Sequence, residues 1–211
     1  MLFRSDDTAF GIAVDSAGAA YVTGATLSTN FPVSASAMQR TFGGSGGGQA
    51  ASGDGFLVKL NPAGSAFTDA TYLGGSRDER AGSVAVDGDG NAWVVGHTLS
   101  TNFPVTSDAT QKTFGGDAID LANTGDGFIT KINAAGSQAL YSTFVGGSAN
   151  EYLSAVALTR DGGVLFGGRT ASRNLAVTAN AGKSRAVPES LACCRLAMAL
   201  RGGWVSLRPR A

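Results

Sequence analysis

The chain has 211 residues with 16 basic and 16 acidic side chains, so its formal net charge is zero; it carries 31 Gly and only 5 Pro. A balanced charge with no basic cluster in its main body speaks against a nucleic-acid or anionic-membrane partner, because phosphate binding needs a positive field. No run of about 18 apolar residues is present, so no membrane-inserted helix is expected, and the apolar fraction of 43% is ample for a folded core.

In chain order, MLFRSDDTAFG lacks the basic start and apolar middle of a signal peptide. From Gly11 the text begins to repeat. GIAVDSAGAAYVTGATLSTNFPVSASAMQRTFG (Gly11 to Gly43) lies over SVAVDGDGNAWVVGHTLSTNFPVTSDATQKTFG (Ser83 to Gly115) at an offset of 72, with 20 of 33 positions identical. The same offset lays DGFLVKLNPAGSAFTDATYLGGS (Asp54 to Ser76) over DGFITKINAAGSQALYSTFVGGS (Asp126 to Ser148), and a third copy opens at Ala155 with AVALTRDGGVLFGGRT. Such a period is the mark of a repeat architecture and takes precedence over any local motif.

Each repeat holds four apolar runs of strand length, which in the first copy are Ile12 to Val14, Ala20 to Thr26, Phe56 to Leu60 and Ala66 to Leu73. The third run alternates as a half-buried strand would. DSAG and DGDG separate the first two runs, and NPAGS and NAAGS the last two. These are turn compositions in which Asp or Asn bonds nearby amides and Gly accepts positive φ. Four antiparallel strands joined by short turns form the blade of a β-propeller. The first run is poor in bulky residues, as suits the crowded innermost strand. The extra length falls between the second and third strands, where SGGGQAASG and DAIDLANTG are inserted.

These linked motifs, IAVDSAGAAYVTG, NFP, Gln-x-Thr-Phe-Gly-Gly, DGFLVKLNPAGS and TYLGGS, resemble the bacterial SBBP repeats, a family named for a seven-bladed β-propeller. The resemblance covers roughly residues 5 to 181. It implies a four-stranded blade per repeat and an extracellular or cell-surface setting, and it implies no reaction and no ligand.

The expected fold is therefore all-β: a fragment of a β-propeller with about 2.5 four-stranded antiparallel blades, at residues 11–75, 83–147 and a partial 155–177, within a unit of 1–181. A closed ring takes about 4 to 8 blades, so further blades or partner chains are needed to close it; residue 5 is expected to sit in the loop before an innermost strand, with the start inside a blade boundary and an upstream region removed. Similarity stops after Ala181. Net charge is −5 up to that residue and +5 from Gly182 onwards, and both cysteines, Cys193 and Cys194, lie in the latter part. Residues 182–211 are expected to be an unrelated, frameshifted or mis-joined tail, with a helix over LACCRLAMAL as the alternative.

No catalytic residue, metal site or cofactor is expected. DGDGN at Asp87 starts like a calcium loop, but Ala92 and Thr98 stand where an EF-hand needs Gly and Glu, so it is read as a turn. His97, the one histidine, is read as a solvent-exposed residue at a strand end. Asp54 and Asp126 are read as turn caps, and GGSGGG lacks the Lys-Ser/Thr of a phosphate loop. TLSTNFPV, which occurs at Thr26 to Val33 and again at Thr98 to Val105, is read as a structural corner with Phe31 and Phe103 plugged between blades. In the third copy this corner is read as decayed to LAV, Leu175 to Val177.

The function expected is that of a noncatalytic extracellular or cell-surface module for binding or scaffolding, with an unknown glycan or protein ligand. The alternative is a piece of a propeller enzyme acting on polysaccharide or peptide whose catalytic part lies elsewhere. Any ligand is expected on the loops Leu27 to Gly53 and Leu99 to Gly125, with Asn30, Asn102 and Asp120 as polar contacts.

Overall fold

A computed structural model describes residues 7–44, 52–116 and 125–175, together with the backbone of two strands at 196–201 and 204–207. Three four-stranded antiparallel sheets follow one another along the chain. The first holds β1 (Asp7–Val14), β2 (Ala20–Thr26), β3 (Asp54–Leu60) and β4 (Phe67–Leu73). The second holds β5 (Glu79–Val86), β6 (Ala92–Thr98), β7 (Asp126–Ile132) and β8 (Ala139–Val145). The third holds β9 (Glu151–Leu158), β10 (Val164–Thr170), β11 (Leu196–Arg201) and β12 (Trp204–Leu207). Every sheet is an up-and-down meander in chain order, and the described sheets do not close into a ring. The expected all-β blade architecture is what the molecule has.

Blades meet chiefly through their first strands: β5 packs on β1 and β2, and β9 packs on β5 and β6. One core lies between the first two blades, where Tyr21, Leu57 and Leu73 meet Val84, Val94, Phe128 and Ile132. A second lies between the next two, where Val95, Ile129 and Val145 meet Leu153, Val164 and Phe166. This double-sided burial corrects the half-buried reading of the third strand. Asp54 to Val58 of β3 and Asp126 to Thr130 of β7 are buried at every position, because one face meets a neighbouring blade and the other meets the blade's own loop.

The innermost strands begin earlier than the apolar pattern suggests. Pairing of β1 with β2 runs from Asp7↔Thr26 to Val14↔Ala20 with a bulge between Ala9 and Gly11, and the second blade repeats it between Ala81 and Ser83. The first half of each strand carries polar residues, so periodicity could not reveal it. At the bulge the facing residue must be small. A Cβ on Gly96 would stand 1.9 Å from the Arg80 carbonyl oxygen and 2.8 Å from the Phe128 ring.

In the C-terminal segment the structure corrects only the helical alternative. Residues 196–200, inside the stretch weighed as a helix, are strand: β11 pairs antiparallel with β10 from Val164↔Leu200 to Gly168↔Leu196, and β12 pairs with β11. The third blade thus takes its two outer strands from the segment read as an unrelated tail. A ladder needs only backbone groups, and an unpaired β10 edge would leave a row of them unsatisfied.

Candidate functional site

The repeated corner is a set of staples between blades. In the second blade Thr98 Oγ1 accepts the Ser100 amide at 2.8 Å, and Ser100 Oγ accepts the Arg77 amide, also at 2.8 Å, on the connection from the preceding blade. Asn102 Oδ1 accepts both the amide and the hydroxyl of Ser76, at 3.0 and 2.9 Å. The third copy does the same: Ser172 Oγ accepts the Ala149 amide at 2.8 Å, and Asn174 Oδ1 accepts the Ser148 amide and hydroxyl at 2.8 and 2.9 Å. The corner has not decayed there. TASRNLAV keeps Thr170, Ser172 and Asn174, the three residues that bond, and loses the aromatic; comparison by whole-word identity hid this.

Phe31 and Phe103 fill the space beneath the corner. The Phe31 ring lies 4.9 Å from Phe56 and 5.7 Å from Tyr72, and Phe103 lies 4.5 Å from Phe128. Both are buried, which is worth about 1.5 to 3 kcal/mol for such a side chain. This corrects the expected place between blades: the plug sits against its own blade's third and fourth strands. Phe103 also joins the apolar cluster shared with the first blade. The Tyr72 hydroxyl locks the corner by accepting the Phe31 amide at 3.0 Å and donating to the Ser28 carbonyl at 2.7 Å.

The next loop is clasped by carboxylates. Asp54 Oδ2 accepts the Gly43 amide at 2.8 Å and Gln39 Nε2 at 2.9 Å, while Gln39 Oε1 accepts the Gly74 amide at 2.9 Å. Asp126, Gln111, Gly115 and Gly146 repeat the arrangement. This is capping of the Gln-x-Thr-Phe-Gly-Gly loop. Glu79 lies beside it, fully buried, its Oε2 accepting the Gly75 amide at 2.9 Å and its Oε1 the Thr98 hydroxyl at 2.5 Å. Burial, with the neighbouring Asp54 charge adding to it, pushes the Glu79 carboxyl up to about 8. Burial likewise lifts Asp54 and Asp126 to about 6. Sequence reading missed Glu79 and Glu151, whose only signal is recurrence with Asp7 at the 72-residue offset.

The tight turns at the opposite end of the strands use Asp differently. Asp87 Oδ1 accepts the Asp89 and Asn91 amides at 3.1 and 2.9 Å, and its Oδ2 meets Lys131 Nζ at 3.0 Å. DGDGN is the expected turn. His97 corrects its expectation: it is 8% exposed and lies 4.6 Å from the Tyr152 ring of the next blade. A strand end in this fold is covered by the neighbouring blade, which one repeat read alone cannot show.

Of the expected ligand contacts, Asn102 and Asn30 are both exposed on the loop face. Asn102 spends its amide oxygen on Ser76, whereas Asn30, its equivalent in the first blade, makes no side-chain hydrogen bond among the described residues. Asp120 lies outside the described residues. The second-to-third-strand loop and the blade-to-blade connection share one face, since Asn102 of one bonds Ser76 of the other.

Among the described residues nothing covers the outer face of the first blade. Ile12 is 68% exposed and Val14 61%, while Val84, the counterpart of Ile12, is 6% exposed against the first blade. Beside them a groove of about 650 Å³ is lined by Thr8, Val22, Phe56, Val58, Leu60 and Phe67 among others. In the second blade the equivalent Val94, Phe128 and Ile132 are covered by Ala19, Tyr21 and Leu57.

Residues 3–32 and 70–104 match a family model described as SBBP, beta-propeller repeat. The second match starts in β4 and ends in the next blade's corner, so it contains both sides of the Ser76–Asn102 staple. None of the curated proteins compared matches the chain.

Proposed function

We propose that this chain, built of SBBP beta-propeller repeats, is a noncatalytic extracellular or cell-surface module for binding and scaffolding, and that it works by stacking against a further blade of the same kind. One observation carries the reading: the uncovered face of the first blade has the residues that, 72 positions later, receive a blade. Val22, Phe56 and Leu60 stand for Val94, Phe128 and Ile132, and Asn30 stands for the Asn102 that holds the preceding blade's Gly-Gly-Ser connection. The complement is a four-stranded blade offering an aromatic where Tyr21 stands, an aliphatic where Leu57 stands, and a Gly-Gly-Ser turn. The repeated polar residues are spent on such staples, so specificity for a glycan or protein falls to the loops Leu27 to Gly53 and Leu99 to Gly125, which include Asn30, Asn102 and Asp120.

The test is to append a second copy of residues 79–150 upstream of Asp7 in the full chain. The added blade is expected to raise the melting temperature by several degrees and to protect the Ile12 and Val14 amides from hydrogen exchange. Unchanged melting and unchanged exchange at both residues would overturn the stacking role.

A further inference from the structure

Where the innermost strands meet, a row of side chains departs from the repeat. Register pairs Thr8 with Ala25, Arg80 with His97 and Tyr152 with Arg169. These are equivalent cross-strand positions in three blades, yet each blade spells them differently. The stapling residues one or a few places away, Thr26, Thr98 and Thr170, are the same in all three. Stacking therefore fixes the staples and leaves this row unconstrained.

The row gathers positive charge, with no counter-charge beside it among the described residues. The Arg80 guanidinium carbon stands 3.6 Å from the centre of the Phe10 ring and 5.9 Å from that of Tyr152, and the Arg169 guanidinium carbon lies 5.1 Å from the same Tyr152 ring. Among the described residues neither arginine forms an ion pair; the pairs found, Lys59–Asp15 and Lys131–Asp87, lie at the other end of the strands. Arg80 Nε and His97 Nδ1 are both buried without a hydrogen-bond partner. Burial first, then the charges of Arg80 and Arg169, hold the His97 imidazole down to about 3, so it is neutral and adds no third charge. Arg169 is exposed and Arg80 half-buried, which leaves the row open to solvent.

Two guanidiniums around one ring repel each other, and a buried donor left without an acceptor is destabilising, more so when it is charged. Stacking on aromatic faces recovers part of this and holds each fork in place. The arrangement is the protein's half of a charge-assisted pair, lacking only the acceptor. We propose that Arg80, Arg169 and His97 form a binding site for a small oxyanion, a carboxylate or phosphate, seated between the two guanidiniums with His97 beneath and Phe10 and Tyr152 as walls. The site goes beyond the stacking role and needs no further blade.

His97 is the one histidine of the chain, so its ring resonances report on the site without assignment. The full chain is titrated with inorganic phosphate, with glucuronate and with uncharged glucose, followed by His97 ring shifts and calorimetry. At least one of the two anions is expected to bind in the millimolar range, more weakly at higher salt, and glucose is not; the tighter anion identifies the source of the charge. Arg169→Gln, at an exposed position, is expected to weaken binding at least tenfold while leaving the melting temperature within about two degrees, and Arg80→Gln should weaken it further. No saturable shift with either anion at low salt, or equal affinity in wild type and Arg169→Gln, would overturn the site.

Discussion

Asn102 reaches back across a blade boundary to Ser76 and accepts both its amide and its hydroxyl, at 3.0 and 2.9 Å. One side chain thereby ties the corner of one blade to the exit of the last, and Asn174 repeats the tie on Ser148. Both bonds are solvent-facing, so their net worth is that of ordinary hydrogen bonds. Asn102→Ala should cost about 1 kcal/mol in urea unfolding, and Asn102→Asp, which keeps the acceptor, should cost less. Equal losses in the two variants would show that the amide NH₂, and not the oxygen, carries the role.

The Tyr72 hydroxyl is the inner lock of the same corner in the first blade. Tyr72→Phe removes one acceptor of the Phe31 amide and the donor to Ser28, while the amide keeps its 3.2 Å bond to the Ser28 carbonyl. The loss of the two hydroxyl bonds should destabilise the chain by about 1 kcal/mol with little change in β-sheet circular dichroism. A loss near zero would mean that water replaces the hydroxyl.

Gly96 faces the bulge of β5 so closely that a methyl group would overlap backbone. The Arg80 carbonyl oxygen would lie 1.9 Å from the new Cβ, and backbone cannot rotate away as a side chain can. Gly96→Ala should therefore cost about 3 kcal/mol or more. Gly88, with nothing within 4 Å of its notional Cβ, is the control, and Gly88→Ala should be nearly neutral. Similar melting points for the two variants would refute the close approach.

Stability should fall as pH rises above neutrality. The folded Glu79 carboxyl holds its proton up to about 8, while the unfolded chain releases it near the ordinary value of 4.5. Between those limits the native state binds more protons, so raising the pH favours unfolding. His97, lowered to about 3 from 6.5, has the opposite sign: its contribution is present above pH 6.5 and lost on acidification towards 3. From pH 6.5 to 8 the carboxyl effect stands alone. Glu79→Gln should flatten the melting-temperature profile across that window, whereas a slope identical to wild type would place the titration elsewhere.

Much of this protein was legible without coordinates. The 72-residue period, the Asp and Gly turns, the four strands per unit and the burial of Phe31 and Phe103, though not their seat against their own blade, follow from local chemistry: turn residues must meet φ requirements, and apolar runs must be buried wherever the blade sits. The meander follows from short connections, which allow little but antiparallel neighbours.

What only the tertiary structure decided is what each residue meets across a blade boundary. Asn102, Ser100 and Glu79 are polar letters whose partners belong to another strand or another repeat, so no pattern within one repeat distinguishes a staple from a solvated side chain. The third copy kept its bonding atoms while changing its apolar ones, which identity counting scores as decay. His97 reads as a strand-end residue until Tyr152 is laid over it, and Arg80 and Arg169, 89 positions apart in the chain, become neighbours of one ring only when the innermost strands converge. Local propensity acts over a few residues; burial and pairing between blades act over a whole repeat.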